Sequence, residues 1–391
     1  MSGLLSGLQL RRAGWEVDIF ERVDSELSGR GAGIVAQQEL IARLRALGLD
    51  TGDLGVSITT RKVIDVAGHL THSCECPQVL TAWERVYRLL RDAFPAERYH
   101  RGRGLAKFTQ TSDAVQAHFS DGETVEADLL VGADGIRSTV RRQCLPETAP
   151  LYAGYSAWRA LNPESAFPPD VHRELFEYMS FGLPPGEQFL GYPVAGPDND
   201  LRPGHRRFNV VWYRPADEHT KLKWLLTDES GVTHPISIPP PLISRAAIAE
   251  MRADAERLIA PVFRQVVRMI AEPILQPIYD LTSPRMAFGR VAILGDAAFV
   301  ARPHVAAGVS KAADDAAALA EGLAAAPDVE SGLKRFEAKR LAENHCIIER
   351  ARHLGAYLQA SRTSEEQARA GRHSTDAAVI EETATLDFLY G

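Results

Sequence analysis

Gly295 and Asp296 stand directly behind a short apolar run, residues 291–294 (VAIL), of the kind that makes a strand buried on both faces. Such a strand ends at the crevice of an open α/β sheet, where ligands bind. The glycine lets another group come close to the backbone. The carboxylate of Asp296 can accept hydrogen bonds from a sugar or polyol hydroxyl. The loop that follows, Arg302-Pro303-His304-Val305-Ala306-Ala307-Gly308, is rich in small and rigid residues, and residues 310–325 read as an alanine-rich helix. A small-residue loop opening a helix presents free N–H groups and the positive end of the helix dipole. That suits a phosphate, or an electron-rich ring edge that gains negative charge on reduction. An ordinary strand-loop-helix crossover is the competing reading of this stretch.

Two weaker signals stand upstream. Residues 2–8 (SGLLSGL) lead directly into a helix that ends at Arg11-Arg12-Ala13-Gly14, residues 15–20 (WEVDIF) read as a strand, and Glu21 stands at the strand's end. Helix, glycine, strand and acidic residue in that order form the second half of a dinucleotide-binding βαβ unit. In that unit Gly3 takes the place of the last glycine of G-x-G-x-x-G, and Glu21 accepts hydrogen bonds from ribose hydroxyls. The first strand and the first two glycines lie outside the sequence as written, so the sheet is expected to lack a central strand. Farther on, residues 128–131 form a second apolar strand that runs into Gly132-Ala133-Asp134-Gly135 and the helix 138–144. Asp134 and Asp296 both fall at carboxyl ends of expected strands.

The chain of 391 residues is long enough for one large or two moderate domains, and its 45% hydrophobic and 24% charged residues are ordinary for a globular protein. A net charge of −7 without a long basic run argues against nucleic acid as a partner. No apolar run is long enough to span a membrane, and no secretion signal is expected at the N-terminus. Cys74, Cys76, Cys144 and Cys346 have neither zinc nor thioredoxin spacing. Free thiols in a reducing cytoplasm, and no metal, are the expectation.

Several elements must position these residues. The glycine-dense segment 28–33 precedes a helix 37–47, and the glycines either turn the chain or let backbone approach a ligand. A hairpin over 58–71 turns near Ala67-Gly68, and a helix 83–94 and strands 104–109 and 114–119 follow. Residues 151–285 change character. Prolines and aromatics crowd in, and 155–161, 189–194 and 208–213 alternate as half-buried antiparallel strands do. One long amphipathic helix is expected over 248–269. The organisation expected is a nucleotide-binding domain over 1–150 and 286–330, an inserted antiparallel-sheet domain over 151–285, and a C-terminal helix and tail over 331–391. The tail 361–384 reads as polar and mobile, with Leu386-Asp387-Phe388-Leu389-Tyr390 able to dock.

The half βαβ unit with Glu21, then Gly132-Ala133-Asp134-Gly135, then Gly295-Asp296-Ala297-Ala298 occur in an order that resembles the class A flavin-dependent aromatic hydroxylases. Within them the chain is most similar to the 2,6-dihydroxypyridine 3-monooxygenase group. The matching segments are Pro95-Ala96-Glu97-Arg98-Tyr99-His100, Tyr152-Ala153-Gly154-Tyr155-Ser156-Ala157-Trp158-Arg159, Gly191-Tyr192-Pro193 and the loop 302–308.

The resemblance implies an FAD-binding Rossmann-like α/β domain with an inserted α+β substrate domain. It implies reduction of FAD by NADH or NADPH, addition of O2 at the flavin C4a, and hydroxylation of an electron-rich aromatic or N-heteroaromatic ring. It puts Glu21 and Arg22 at the adenosine ribose, Asp134 in a shared pyrophosphate and nicotinamide motif, and Asp296 at the ribityl chain. The backbone of Val305, Ala306, Ala307 and Gly308 would face the flavin N1/O2 edge, where fixed N–H dipoles stabilise the charge of the reduced ring. His304, whose imidazole titrates near neutrality when unperturbed, is the first candidate for a base that removes a ring hydroxyl proton, and Tyr192 the second. Tyr192, Trp212, Phe181 and His304 are candidates for lining the substrate cavity, with plain core as the competing reading for the aromatics. Arg159 and His205 are weaker candidates. The resemblance leans to a homodimer. Other FAD chemistry, such as epoxidation or dehydrogenation, and a non-catalytic member of the family are the alternatives.

Overall fold

The computed structural model describes residues 1–27 and 33–389. Of the glycine-dense segment only Gly33 is described, and Tyr390 of the terminal docking segment also lies outside the described residues. Helix α1 (Ser2–Arg12) buries Leu4, Leu5 and Leu10 and packs against α9 (Gly308–Ala324). Gly14 then turns the chain at φ 91° into β1 (Ile19–Glu21). That strand is shorter than expected. Its one described neighbour, β5 (Tyr99–Arg101), meets it in parallel only at Ile19, Phe20 and Glu21.

Between them come β2 (Gly33–Ala36), α2 (Gln38–Ala46), β3 (Val56–Ile64), β4 (Leu70–Ala82) and α3 (Trp83–Ala93). The β3–β4 hairpin turns at Gly68 (φ 95°), where the Asp65 carboxylate takes the N–H groups of Ala67 and His69. A three-stranded meander, β6 (Leu105–Gln110), β7 (Val115–Phe119) and β8 (Thr124–Ala127), leads to β9 (Leu130–Gly132) and α4 (Thr139–Cys144).

The middle of the chain supplies β10 (Leu151–Pro163), α5 (Pro169–Leu175), β11 (Tyr178–Gly182), β12 (Gln188–Val194), β13 (Arg207–Pro215) and the short α6 (Lys223–Leu225). The helix expected over 248–269 is two helices, α7 (Arg245–Leu258) and α8 (Pro261–Arg268). Pro261 has no N–H to continue the ladder and holds Ala260 extended at ψ 151°. After β14 (Ile274–Thr282) come β15 (Ala287–Phe288), β16 (Val291–Ile293) and β17 (Phe299–Val300). The chain ends on α9, α10 (Val329–Gly355), α11 (Ser364–His373) and α12 (Asp376–Glu382).

The strands make one large sheet, in the order β17-β14-β10-β13-β12-β11-β3-β4-β2, and smaller ones. Two small sheets, the parallel pair β1-β5 and the mixed sheet β15-β16-β9, in which β16 and β9 are parallel and β15 antiparallel, share no ladder among the described residues. The large sheet does not respect the expected boundary at residue 151, because β2, β3 and β4 extend it and β11 runs parallel to β3. One of its faces packs Trp158, Phe189, Phe208, Val210 and Trp212 against α7 and α8. The other carries Tyr155, Leu190, Tyr192, Val211 and Tyr213, with Phe181 and Met179, and meets the 303–308 loop through Ala306.

The tail is not a loose polar segment. Ala370, Val379, Ile380 and Ala384 are buried in the same cluster as Tyr192. Thr363 and Glu366 form a capping box at the start of α11. Arg61, 0% exposed, donates to the carbonyls of Ile380 and Thr383, each at 2.6 Å. Among the described residues no helix is long and apolar enough to cross a membrane.

Candidate active site

The three sequence signals converge at the start of α1. Gly295, at φ 59°, approaches Ser2 so closely that a Cβ on it would come within 2.7 Å of the Ser2 side chain. Gly3 sits against Ala133. The charges of Asp296 and Glu21 both act on the Met1 ammonium, which burial pushes below its ordinary pKa. Strand, turn and helix thus bring β1, β9 and β16 to one crevice. Asp296 is exposed by area, yet the surrounding protein pushes its carboxyl above the usual range, opposed by Lys311 and the Met1 ammonium. Both facts describe a side chain on the wall of a deep cleft.

The turn that carries Asp296 is braced from behind. Asp315 accepts the Gly295 N–H at 3.0 Å on one oxygen, and Arg340 Nε (2.8 Å) and Asn344 Nδ2 (3.0 Å) on the other. Burial opposes ionisation of Asp315, but Lys311 and Arg340 hold its carboxyl below the ordinary range. Lys311, itself buried, lies 3.5 Å from it. At the next loop Ala306 takes a left-handed conformation (φ 49°), and α9 begins with no side-chain cap. No side chain competes for the N–H groups of its first turn.

Glu21 is half-buried, and one of its oxygens takes the Val23 N–H at 2.9 Å. Arg22 is exposed and packs over Gly104. Asp134 accepts the N–H groups of Thr139 (2.7 Å) and Val140 (3.3 Å), so its carboxylate closes the first turn of α4. Gly132 makes room for Val140, whose side chain would be 2.8 Å from a Cβ there.

The large sheet covers the loop with aromatic residues. Tyr155 and His304 share a hydrogen bond of 2.8 Å between the hydroxyl and Nε2, and Tyr213 packs against the imidazole with ring centroids 4.8 Å apart. Tyr192 reaches Gly33, where a Cβ would lie 2.5 Å from the ring and 2.8 Å from the hydroxyl. Asn209 accepts the Gly33 N–H at 3.0 Å. The glycine is required here by the approach of a side chain. A surface cavity of about 730 Å³ beside Arg88, Arg91 and Phe94 carries none of these candidate residues.

Residues 152–280 match the FAD binding domain-like family and residues 276–351 the FAD binding domain family. The chain is 34% identical over 360 residues to the 2,6-dihydroxypyridine 3-monooxygenase of Paenarthrobacter nicotinovorans, covering 92% of this chain and 89% of that one. It belongs to the FAD-dependent aromatic monooxygenases. It is also 32% identical over 369 residues to the 3-amino-4-hydroxybenzoate 2-monooxygenase of Streptomyces cremeus, covering 90% and 84%. The solved structure of 2,6-dihydroxypyridine-3-hydroxylase from Arthrobacter nicotinovorans superposes with a TM-score of 0.86 at 33% identity, covering 94% of this chain and 93% of that one.

FAD is therefore the cofactor of this monooxygenase, and the crevice fits it. An accessible carboxylate on a braced turn and an uncapped helix start suit a polyol chain and a ring edge that gains charge. Two sequence expectations change. His304 is not placed as a base: it is 3% exposed, its Nε2 is engaged by Tyr155, and burial, then Arg302 and Arg159, push its pKa down to about 3. A base works best near the operating pH. His304 instead anchors the loop, its carbonyl taking the Ala384 N–H at 2.7 Å. Trp212 does not line the cofactor side, because it shares its face with Phe208 and Val210 and points to the helix layer. Sequence reading missed Tyr155, Tyr213 and Asn209. The alternation in 208–213 marks two faces, and Tyr213 and Asn209 fall opposite Trp212.

Proposed function

We propose that this FAD-dependent monooxygenase hydroxylates an electron-rich, hydroxylated aromatic or N-heteroaromatic ring of the dihydroxypyridine kind, with NADH or NADPH as transient reductant and O2 as oxidant. The observation that carries the reading is the polar aromatic face of the large sheet, Tyr155, Tyr192 and Tyr213, packed onto the loop beside the FAD crevice. FAD, when bound, accepts hydride from the nicotinamide and activates oxygen.

The chain's own residues do the rest. Glu21 and Arg22 hold the adenosine ribose, Gly3 gives α1 its close seat, and Asp296 holds the ribityl hydroxyls. The N–H groups of Val305, Ala306, Ala307 and Gly308 stabilise negative charge at the ring edge. Tyr192 and Phe181 wall the ring cavity, with Tyr192 supplying a protonated hydroxyl, since burial raises its pKa despite Arg159 nearby. His304 holds the loop in place. A cytoplasmic homodimer completes the reading.

The test is an absorbance spectrum of the purified protein followed by a screen of hydroxylated rings for NAD(P)H oxidation and product mass. Flavin bands with a product heavier by one oxygen are expected. NAD(P)H oxidation without hydroxylated product from any ring would overturn the proposal.

A further inference from the structure

The buried donor atoms of the large sheet that have no acceptor among the described residues include Arg159 Nε, Gln188 Nε2 and Asn209 Nδ2, besides Arg61 Nη2, Ser180 Oγ and Trp212 Nε1. The first three lie on one face. The register sets Gln188 opposite Tyr213, Tyr192 opposite Asn209, and Val211 opposite both Arg159 and Leu190. The two amides are partly engaged, Gln188 accepting from the Tyr357 hydroxyl at 2.8 Å and Asn209 from the Gly33 N–H. Both are nearly inaccessible to solvent, whereas Arg159 is half-buried.

Arg159 also lacks a carboxylate. Three buried guanidinium groups have one, Arg302 on Asp280 at 2.9 Å, Arg206 on Glu164 at 2.8 Å and Arg340 on Asp315 at 2.8 Å, and Arg61 and Arg141 are met instead by backbone carbonyls. No carboxylate lies within ion-pair distance of Arg159 among the described residues. The groups that feel its charge are Tyr192, Tyr213 and His304. Burial keeps the two tyrosines protonated and His304 uncharged, so none of them neutralises it. A partly desolvated cation among neutral groups is unfavourable until an anion arrives.

We propose that Arg159 is the anion receptor of the ring site, pairing with an oxyanion that the substrate carries. This rests on the ring-hydroxylase reading and names its substrate class: rings with an acidic hydroxyl or a carboxylate. A planar guanidinium suits either group, through paired N–H donors. By stabilising the ionised form it lowers the pKa of a bound ring hydroxyl, and the anion is the more electron-rich ring. Arg159 then selects and activates the ring that arrives already ionised, its hydroxyl proton having passed to solvent water before binding.

The test is calorimetric titration of the FAD-loaded enzyme with two anions and their uncharged twins: 4-nitrophenolate against 4-nitroanisole, and isonicotinate against methyl isonicotinate. Wild type should prefer at least one anion over its twin by about 10- to 100-fold, the worth of one charge-assisted hydrogen bond. Arg159→Gln should lose that preference while binding the uncharged twin within about twofold, and Arg159→Lys should keep part of it. Preference for nitrophenolate assigns an ionised ring oxygen, and preference for isonicotinate a carboxylate. Equal binding of anion and twin by wild type, or unchanged anion binding in Arg159→Gln, would overturn the assignment. Should Arg159→Gln not fold, the wild-type preference and Arg159→Lys decide it. NAD(P)H oxidation by wild type with each ring is followed alongside. Without any ring-stimulated oxidation the hydroxylase reading fails, while the titration still reports on Arg159.

Discussion

The two faces of the large sheet are built from the same strands and yet are opposites. On the helix side Trp158, Phe189, Phe208 and Val210 meet α7 and α8 in a continuous apolar layer. On the cofactor side the alternating positions carry Tyr155, Arg159, Gln188, Tyr192, Asn209 and Tyr213, with Arg159 Nε, Gln188 Nε2 and Asn209 Nδ2 among the donors left over. The first face is apolar save for the Trp212 Nε1, which has no acceptor among the described residues, and it stabilises the fold through burial. The second is less stable than its position in the sheet allows, which is the mark of a surface arranged for something outside the chain.

Substitutions can test that division. The largest effect is expected from Phe208→Ala, which empties a fully buried position against Phe167 and Phe176. A loss of about 3–5 kcal/mol in denaturant unfolding is expected, with turnover per folded molecule unchanged. A change in ring affinity there would break the comparison. Next is Arg61→Met, which strips two buried carbonyls of their donor. It should cost about 2–3 kcal/mol and expose the segment 361–389 to protease before the rest of the chain.

His304 gives a pH test on the cofactor side. Folding pushes its pKa down to about 3, from an ordinary value of 6.5. The unfolded chain therefore takes up a proton first as pH falls. The stability tied to neutral His304 is whole above about pH 6.5 and is lost as pH drops toward 3, by at most about 1.4 kcal/mol per unit. His304→Asn should remove that slope, so unfolding curves of wild type and variant should converge on acidification from pH 7 to 5. Parallel curves would mean that His304 is charged in the fold. The smallest stability effect is expected from Tyr192→Phe, which keeps the ring against Gly33 and removes only the hydroxyl. About 1 kcal/mol or less is expected in unfolding, with the change concentrated in KM for the ring and in the fraction of NAD(P)H oxidation that yields product. An unaltered KM and yield would move Tyr192 to the structural face.

The cofactor crevice was legible because its parts are local. An apolar strand, Gly295-Asp296 and a small-residue loop before an alanine-rich helix are adjacent in the chain, and they fold as adjacent elements. Alternation also exposed the two faces of 208–213. It could not say which face looks at the cofactor, since both are buried and both are aromatic. The Pro261 break was written in the sequence and was overridden by the strength of the apolar period on either side. The tail was misread for a different reason. Ala370, Val379 and Ile380 are sparse in a polar stretch, and what holds them is Arg61, a partner some three hundred residues away that no local pattern announces.

The bond from Ala384 to the carbonyl of His304 has a consequence for how the enzyme is made. On the ribosome the chain is delivered from its N-terminus, and domains fold as their residues emerge. The loop 303–308 is synthesised and exposed well before Ala384, and until then His304 lacks this partner and Arg61 has no carbonyls to hold. This lock on the loop thus closes only after α12 and Ala384 have emerged, and a nascent chain stalled before α12 would carry the crevice without it.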